Sequence, residues 1–193
     1  TYIKQIKKNV WKWKKEDGIF SVKKYASQEQ AAKIGYIHDE LSALKKPFVL
    51  PIIPTTQKGY IIQPWFENSR AVSYKDKKDR LATYTLLKRM HGTRRKIEWE
   101  KSPFLYPFNL ISKWQARYFK VSEIVPFIES YIGYNQTKLL LHYGEIALSE
   151  IRPFSLKNLT LLHGDVVHHN FLVRDDTYKM IDFDLAVLGP KEM

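Results

Sequence analysis

The stretch that most restricts what this chain can become lies near its end, Leu161 to Asp184: LLHGDVVHHNFLVRDDTYKMIDFD. Asp165 follows His163 and Gly164, Asn170 comes five positions later, and Asp182 lies beyond a turn. The apolar run Leu159 to Leu162 leads into a short loop that holds Asp165 and Asn170. Phe171, Leu172 and Val173 predict a strand, and Arg174 to Thr177 a turn. The adjacent Asp175 and Asp176 favour local hydrogen bonds over a sheet ladder there. Tyr178 to Phe183 predicts the returning strand. A hairpin brings its two ends together, so Asp165, Asn170 and Asp182 can converge on one small volume. Such a set of hard oxygens suits Mg²⁺ and offers nothing to a soft metal.

The preceding chain alternates strands and helices in a definite order. Val10 to Lys14 alternates with a period near two, Glu16-Asp17-Gly18 is a turn, and Ile19 to Tyr25 is the partner strand. In that strand Ile19, Ser21, Lys23 and Tyr25 share one face. Lys23 therefore points the same way as the small Ser21, which leaves room for a flat ring beside the lysine. Ser27-Gln28-Glu29-Gln30 has the form of a capping box. Ile34, Ile37, Leu41 and Leu44 then recur at helical spacing up to Pro47. Glu40 borders that stripe and is the candidate partner of Lys23, with Asp39 as its competitor. Phe48 to Pro54 is extended, and Tyr60 to Gln63 is a strand that runs on through Pro64, Trp65 and Phe66. Leu81 to Met90 predicts a helix, with Leu81, Tyr84 or Thr85, Leu87 or Lys88, and Leu86 near one side. Residues 93–120 mix basic and aromatic side chains; packing with snorkelling stems is favoured over base stacking. Ser122 to Ser149 predicts one or two helices, with Gly133 as a break and Pro153 closing the run.

The joint spacing H-G-D-x-x-x-x-N followed by I-D-F-D resembles the catalytic loop of kinase-like phosphotransferases. Its details are similar to the aminoglycoside phosphotransferase and choline kinase family, with a flavour of bacterial spore-coat-associated kinases. The resemblance implies an α+β, bilobal, protein-kinase-like fold. A small antiparallel-sheet lobe with one helix, residues 1–66, would bind nucleotide. A mainly helical lobe, residues 67–193, would carry the catalytic hairpin. It further implies Asp165 as catalytic base, Asn170 and Asp182 as Mg²⁺ ligands, and Lys23 on the ATP phosphates with Glu40 orienting it. Backbone groups around Gln63 and Trp65 would hold the adenine edge. The implied activity is ATP- and Mg²⁺-dependent transfer of the γ-phosphate to a hydroxyl of a small molecule, such as a sugar, an amino alcohol or an aminoglycoside-like compound. The alternative is a catalytically weak kinase-fold component of the spore coat.

Two departures stand beside the resemblance. No glycine-rich loop is present; the corresponding turn, Ile6-Lys7-Lys8-Asn9, is basic. The chain opens on Thr1 and stops at Met193, soon after Asp184, so a fragment or a minimal variant without the family's C-terminal helices is expected. Composition narrows the classes further. The 193 residues are 44% apolar and 14% aromatic, enough for a substantial core. Cysteine is absent, which removes disulfides, thiolate metal sites and a Cys nucleophile. The net charge of +12 favours anionic partners such as nucleotide phosphates. Nucleic acid is disfavoured as the partner because it leaves the Asp/Asn cluster unexplained. His168 and His169 lack a third ligand at a standard zinc spacing. No apolar run approaches a membrane span, and a cytoplasmic protein is expected.

Overall fold

The computed structural model describes residues 1–152 and 157–190, so the expected helix stop at Pro153 lies outside the described residues. The chain divides into two compact units, one of residues 1–106 with 158–193 and one of residues 107–157.

The first unit opens with a four-stranded antiparallel sheet of sequential strands, β1 (Tyr2–Lys7), β2 (Val10–Lys15), β3 (Gly18–Lys24) and β4 (Tyr60–Pro64). β1 is an edge strand with every side chain exposed, and its main chain pairs with β2. Sequence periodicity missed it because an edge strand that buries nothing has no apolar alternation to display. In β3, Ser21 lies opposite Lys12 and Gln63, and Lys23 opposite Val10 and Ile61. The side-chain parity expected for Ser21 and Lys23 therefore holds.

Helix α1 (Gln28–Ser42) begins as predicted: the Ser27 hydroxyl accepts the Gln30 amide at 3.1 Å. Its buried face is Ala31, Ile34, Ile37, His38 and Leu41. The helix stops at Ser42, so Leu44 lies beyond it. Short strand β5 (Arg70–Ala71) leads to α2 (Lys77–Gly92), capped by the Asp76 carboxylate on the Asp79 amide at 3.0 Å. The buried side of α2 is Asp79, Thr83, Leu86 and Met90, while Leu81 and Tyr84 are exposed. Leu86 is inward as expected, but the rest of the expected face is corrected, because a buried carboxylate and a threonine, invisible to an apolar count, share the inward side.

After α2, Trp99 is fully buried and its indole N–H donates to Thr93 Oγ1 at 2.9 Å. Thr93 in turn donates to the Met90 carbonyl at 2.6 Å. Part of the basic aromatic segment is thus core, in line with the packing interpretation of it. The second unit consists of α3 (Leu110–Glu123), α4 (Val125–Ile132) and α5 (Tyr134–Glu150). Gly133, at φ 81°, breaks α4 from α5 where a break was expected. The Asn109 side chain caps α3 by accepting the Ser112 amide at 3.0 Å.

The chain then returns to the first unit as β6 (Thr160–Leu162), β7 (Phe171–Arg174), β8 (Thr177–Met180) and β9 (Val187–Gly189). β5, β7 and β8 form one sheet, and β6 pairs with β9. Asp175 and Asp176 both take positive φ, 45° and 59°, as a tight two-residue hairpin requires. β8 ends at Met180, short of the predicted Phe183. Ile181 donates to the Asn170 carbonyl, and Asp182 turns left-handed at φ 63°. The core of this unit gathers Ile34, Ile37, Leu41, Phe48, Met90, Leu161, Phe171, Met180 and Phe183. The architecture is α+β, with an antiparallel-sheet N-terminal region and a mostly helical remainder.

Candidate functional site

The loop after β6 is shaped by two residues that flank Asp165. Gly164 has φ 80°, and a Cβ there would overlap the Leu185 carbonyl oxygen and lie 2.6 Å from its carbon. Only glycine fits between His163 and Asp165 while the chain after Asp184 crosses so closely. His163 is 1% exposed, packs on Phe171 and Phe183, and its Nε2–H donates to the Ile181 carbonyl at 2.9 Å. Burial pushes its pKa down, against that hydrogen bond and the Asp182 and Asp165 charges. His163 is therefore a neutral brace between the loop and the strand end.

Asn170 is buried, and its amide Nδ2 donates to both the carbonyl and the carboxylate Oδ2 of Asp165, each at 3.0 Å. Residues 165–167 and the 3₁₀ turn His168–Asn170 close this ring. The spacing in sequence is thus the spacing a single amide needs to hold a single carboxylate.

Asp182 and Asp184 meet Lys23 from β3. The lysine Nζ lies 2.8 Å from Asp182 Oδ1 and 2.7 Å from Asp184 Oδ2. Lys7 Nζ stands 3.6 Å from the other Asp182 oxygen. Burial opposes the charged form of Asp182, but the hydrogen bond and charge of Lys23 outweigh it. Asp184 and Lys7 assist, so its pKa falls below the ordinary carboxylate value. Asp184 Oδ1 is buried with no hydrogen-bond partner. The Lys33 ammonium, reaching from α1, lies 3.4 Å from the Asp184 carbonyl. Tyr25, buried at the end of β3, has its phenol pushed well up by burial and by the Asp184 and Asp182 charges.

Lys7, Lys23, Tyr25 and Asp182 line a cavity of about 320 Å³ together with Ser21, His38, Gln63, Trp65 and Phe183 among others, whereas Asp165, Asn170 and Asp184 lie outside its lining. That volume lies in the range of small-molecule sites. Ser21 and Lys23 line it together. On its inner wall the Leu50 carbonyl accepts from His38 Nδ1 at 2.9 Å and from Gln63 Nε2 at 3.1 Å. Burial pushes the His38 pKa down to about 4, so it is neutral at physiological pH. Trp65 lines the cavity as well, and its amide donates to the Ile19 carbonyl at 2.8 Å.

The geometry alters one expected partnership. Glu40 is half-buried beside Tyr36, whose phenol is pushed up by burial and by the Glu40 charge. Lys23 does not pair with Glu40 or with Asp39; it meets Asp182 and Asp184. The reason lies in α1, which turns Ile37, His38 and Leu41 inward and leaves Glu40 beside the buried stripe. Lys33, His38 and Lys7 joined the site without a local sequence signal, apart from the basic character of the Lys7 turn.

Could this arrangement hold a divalent cation? Asp182 is ionised, Asp184 presents a buried oxygen without a partner, and Asn170 keeps a carbonyl oxygen after its amide nitrogen is engaged. All are hard oxygens, the donor type Mg²⁺ and Ca²⁺ prefer, and Lys23 holds one oxygen of each of the two carboxylates. Among the described residues no three His, Cys, Asp or Glu side chains form a metal-ligating group.

No protein-family model and no curated protein matches the chain by sequence. Solved structures do match by shape. Choline kinase LicA from Streptococcus pneumoniae aligns with TM-score 0.61 at 14% identity, over 97% of this chain and 63% of that one. Amicoumacin kinase hAmiN, in complex with AMP-PNP, Ca²⁺ and its antibiotic, aligns with TM-score 0.66 at 16% identity, over 95% and 57%. Macrolide 2'-phosphotransferase MphH from Brachybacterium faecium gives 0.65 at 15% identity, over 98% and 67%. The chain thus spans about three fifths of the length of the first two. It adopts the kinase-like fold of the choline kinase and antibiotic phosphotransferase structures.

Proposed function

We propose that this chain is part of a small-molecule kinase that uses ATP and Mg²⁺ to phosphorylate a hydroxyl group. The observation that carries the proposal is the meeting of Lys23 with Asp182 and Asp184, with Lys23 and Asp182 lining one cavity. A fold shared with phosphotransferases supports it, as do the nucleotide and Ca²⁺ in the amicoumacin kinase structure.

In this proposal residues 1–66 form the nucleotide-binding part and residues 67–193 carry the catalytic hairpin. The adenine ring lies between the Ser21 side of β3 and the stretch from Gln63 to Trp65, whose main chain meets its edge. Asn170, Asp182 and the buried oxygen of Asp184 would hold Mg²⁺, which when bound neutralises charge on the phosphates. Lys23 faces the α and β phosphates, and Asp182 and Asp184 fix its direction in place of Glu40. Asp165 accepts the proton of the acceptor hydroxyl as that oxygen attacks the γ-phosphorus and the bond from the γ-phosphorus to the bridging oxygen breaks, with ADP leaving. Asn170 keeps the Asp165 carboxylate aimed, because its amide holds one carboxylate oxygen and leaves the other free. Positioning and charge neutralisation are the main demands of phosphoryl transfer, and these side chains supply both.

The acceptor is a small molecule bearing a hydroxyl, of the kind that amino alcohols, sugars and antibiotics present. No helix among the described residues is long and apolar enough to cross a membrane; the cytoplasm, where ATP is supplied, is the location the proposed activity calls for. Spore-coat association rests on the sequence resemblance alone. The test is incubation with Mg²⁺ and γ-labelled ATP against choline, an aminoglycoside, a macrolide and free hexoses. Label on any acceptor supports the proposal. No transfer to any acceptor, together with no nucleotide binding, overturns it.

A further inference from the structure

The β1–β2 turn brings a second cation to the cavity by a specific backbone device. Strand β1 pairs regularly with β2 from Tyr2 opposite Lys14 to Gln5 opposite Trp11, and then the register shifts, so that Lys7 stands opposite Val10. The shift is a bulge, which sets two residues against one and turns consecutive side chains the same way. Ile6 and Lys7 both line the cavity as a result, together with Val10. Asn9 then takes φ 62°, and its carbonyl accepts the Lys24 amide at 2.9 Å, which pins the turn to β3.

Lys7 and Lys23 approach opposite oxygens of Asp182, but not on equal terms. Lys23 lies at 2.8 Å with a 21% exposed side chain; Lys7 lies at 3.6 Å with a 61% exposed one. Lys23 is thus the tight, sheltered partner and Lys7 the loose, exchangeable one. A nucleotide triphosphate entering this cavity brings several negative charges past the same point, and a cation at the tip of a turn is free to follow the stronger charge.

We propose that Lys7 is a phosphate-binding residue of this site, its ammonium leaving Asp182 Oδ2 for a terminal phosphate oxygen when the nucleotide binds. The inference rests on the nucleotide-binding proposal above. A side-chain charge carried on a bulged hairpin does here what glycine-rich turns do with backbone amides, and the turn needs no glycine. Lys7 therefore selects by phosphate number and not by base.

Equilibrium affinities of ATP with Mg²⁺, and of adenosine, for wild type, Lys7→Ala, Lys7→Arg and Lys8→Ala test this. Lys7→Ala weakens ATP about five- to tenfold, as loss of one charge-assisted contact does, and leaves adenosine unchanged. Lys7→Arg restores most of the ATP affinity, and Lys8→Ala, exposed in the same turn, changes neither ligand. Wild type that binds ATP with an unaltered Lys7→Ala affinity overturns this inference and leaves the nucleotide-binding proposal standing. Equal weakening of ATP and adenosine also overturns it, by showing a role in turn structure. Wild type that binds neither ligand overturns both.

Discussion

Replacing Asp79 with alanine should be among the most damaging single changes in this chain, and the damage should fade in acid. Asp79 sits in the first turn of α2 and is 1% exposed. Its carboxylate accepts Arg70 Nη1 at 2.6 Å, the Ser73 amide at 2.7 Å and the Tyr178 hydroxyl at 2.9 Å. One side chain thus ties α2 to β5 and to the hairpin strand β8, whose far end leads to Asp182. The Arg70 hydrogen bond pulls the Asp79 pKa from 3.8 to about 2, against burial and with help from Ser73 and Tyr178. A depressed carboxyl contributes stability above its unfolded pKa and loses it as pH falls through the folded one. The shift corresponds to about 2.5 kcal/mol at neutral pH. The Arg70 side chain is 60% exposed, so solvent screening lowers this to about 1.5–2 kcal/mol. Alanine also leaves the Ser73 amide and the Tyr178 hydroxyl without their acceptor, about 1–3 kcal/mol more. Urea unfolding at pH 7 should therefore show Asp79→Ala about 2.5–5 kcal/mol less stable than wild type. The gap should narrow by about 1 kcal/mol at pH 3, where wild type has begun to lose the titration-linked part. A gap below 1 kcal/mol at pH 7, or one of equal size at both pH values, refutes the reasoning.

Two further changes probe the loop. Gly164→Ala forces a side chain into left-handed backbone, about 1–2 kcal/mol, and against the Leu185 carbonyl, about 1–3 kcal/mol more. Its Tm in a thermal melt should fall by about 5–15 °C; a Tm within 1 °C of wild type would show that the crossing of Gly164 and Leu185 is not tight. Asp165→Asn should bind Mg²⁺ and ATP within about twofold of wild type yet transfer phosphate at least about a hundredfold more slowly, as loss of a general base does. Transfer at the wild-type rate in a radiolabel assay would remove Asp165 from the chemistry.

What the sequence revealed was local. The period-two run around Lys23 put Ser21 and Lys23 on one face, and both line the cavity. The Ser27 cap, the Gly133 break and the hairpin around Asp175 and Asp176 all lie within a few residues of their signals. The loop spacing from Asp165 to Asn170 was legible because one amide closes that ring. The misses are contacts between distant segments or backbone irregularities. Lys23 joins Asp184 across a separation of 161 positions, and nothing local chose that carboxylate over Glu40. Lys7 enters the cavity only because β1 bulges, and a bulge leaves no periodic mark. Asp79 and His38 are polar residues on inward faces, so an apolar count passes over them. Asp182 was placed on a strand because Met180, Ile181 and Phe183 look like one, yet its left-handed turn is what aims it at Lys23.

The most direct test is the thermal stability of wild type and Asp182→Asn with ATP and Mg²⁺, each alone and together. Asparagine tolerates the left-handed φ of 63° at this position, so the fold is kept while the charge is removed. At a ligand concentration about a hundredfold above Kd, binding stabilises by about 2.7 kcal/mol, a Tm rise of about 5–10 °C. The expected result is a rise of that size in wild type that requires both ATP and Mg²⁺ and is lost in Asp182→Asn. No rise in wild type at millimolar ATP and Mg²⁺, or an equal rise in the variant, would contradict a nucleotide site built on Lys23 and Asp182.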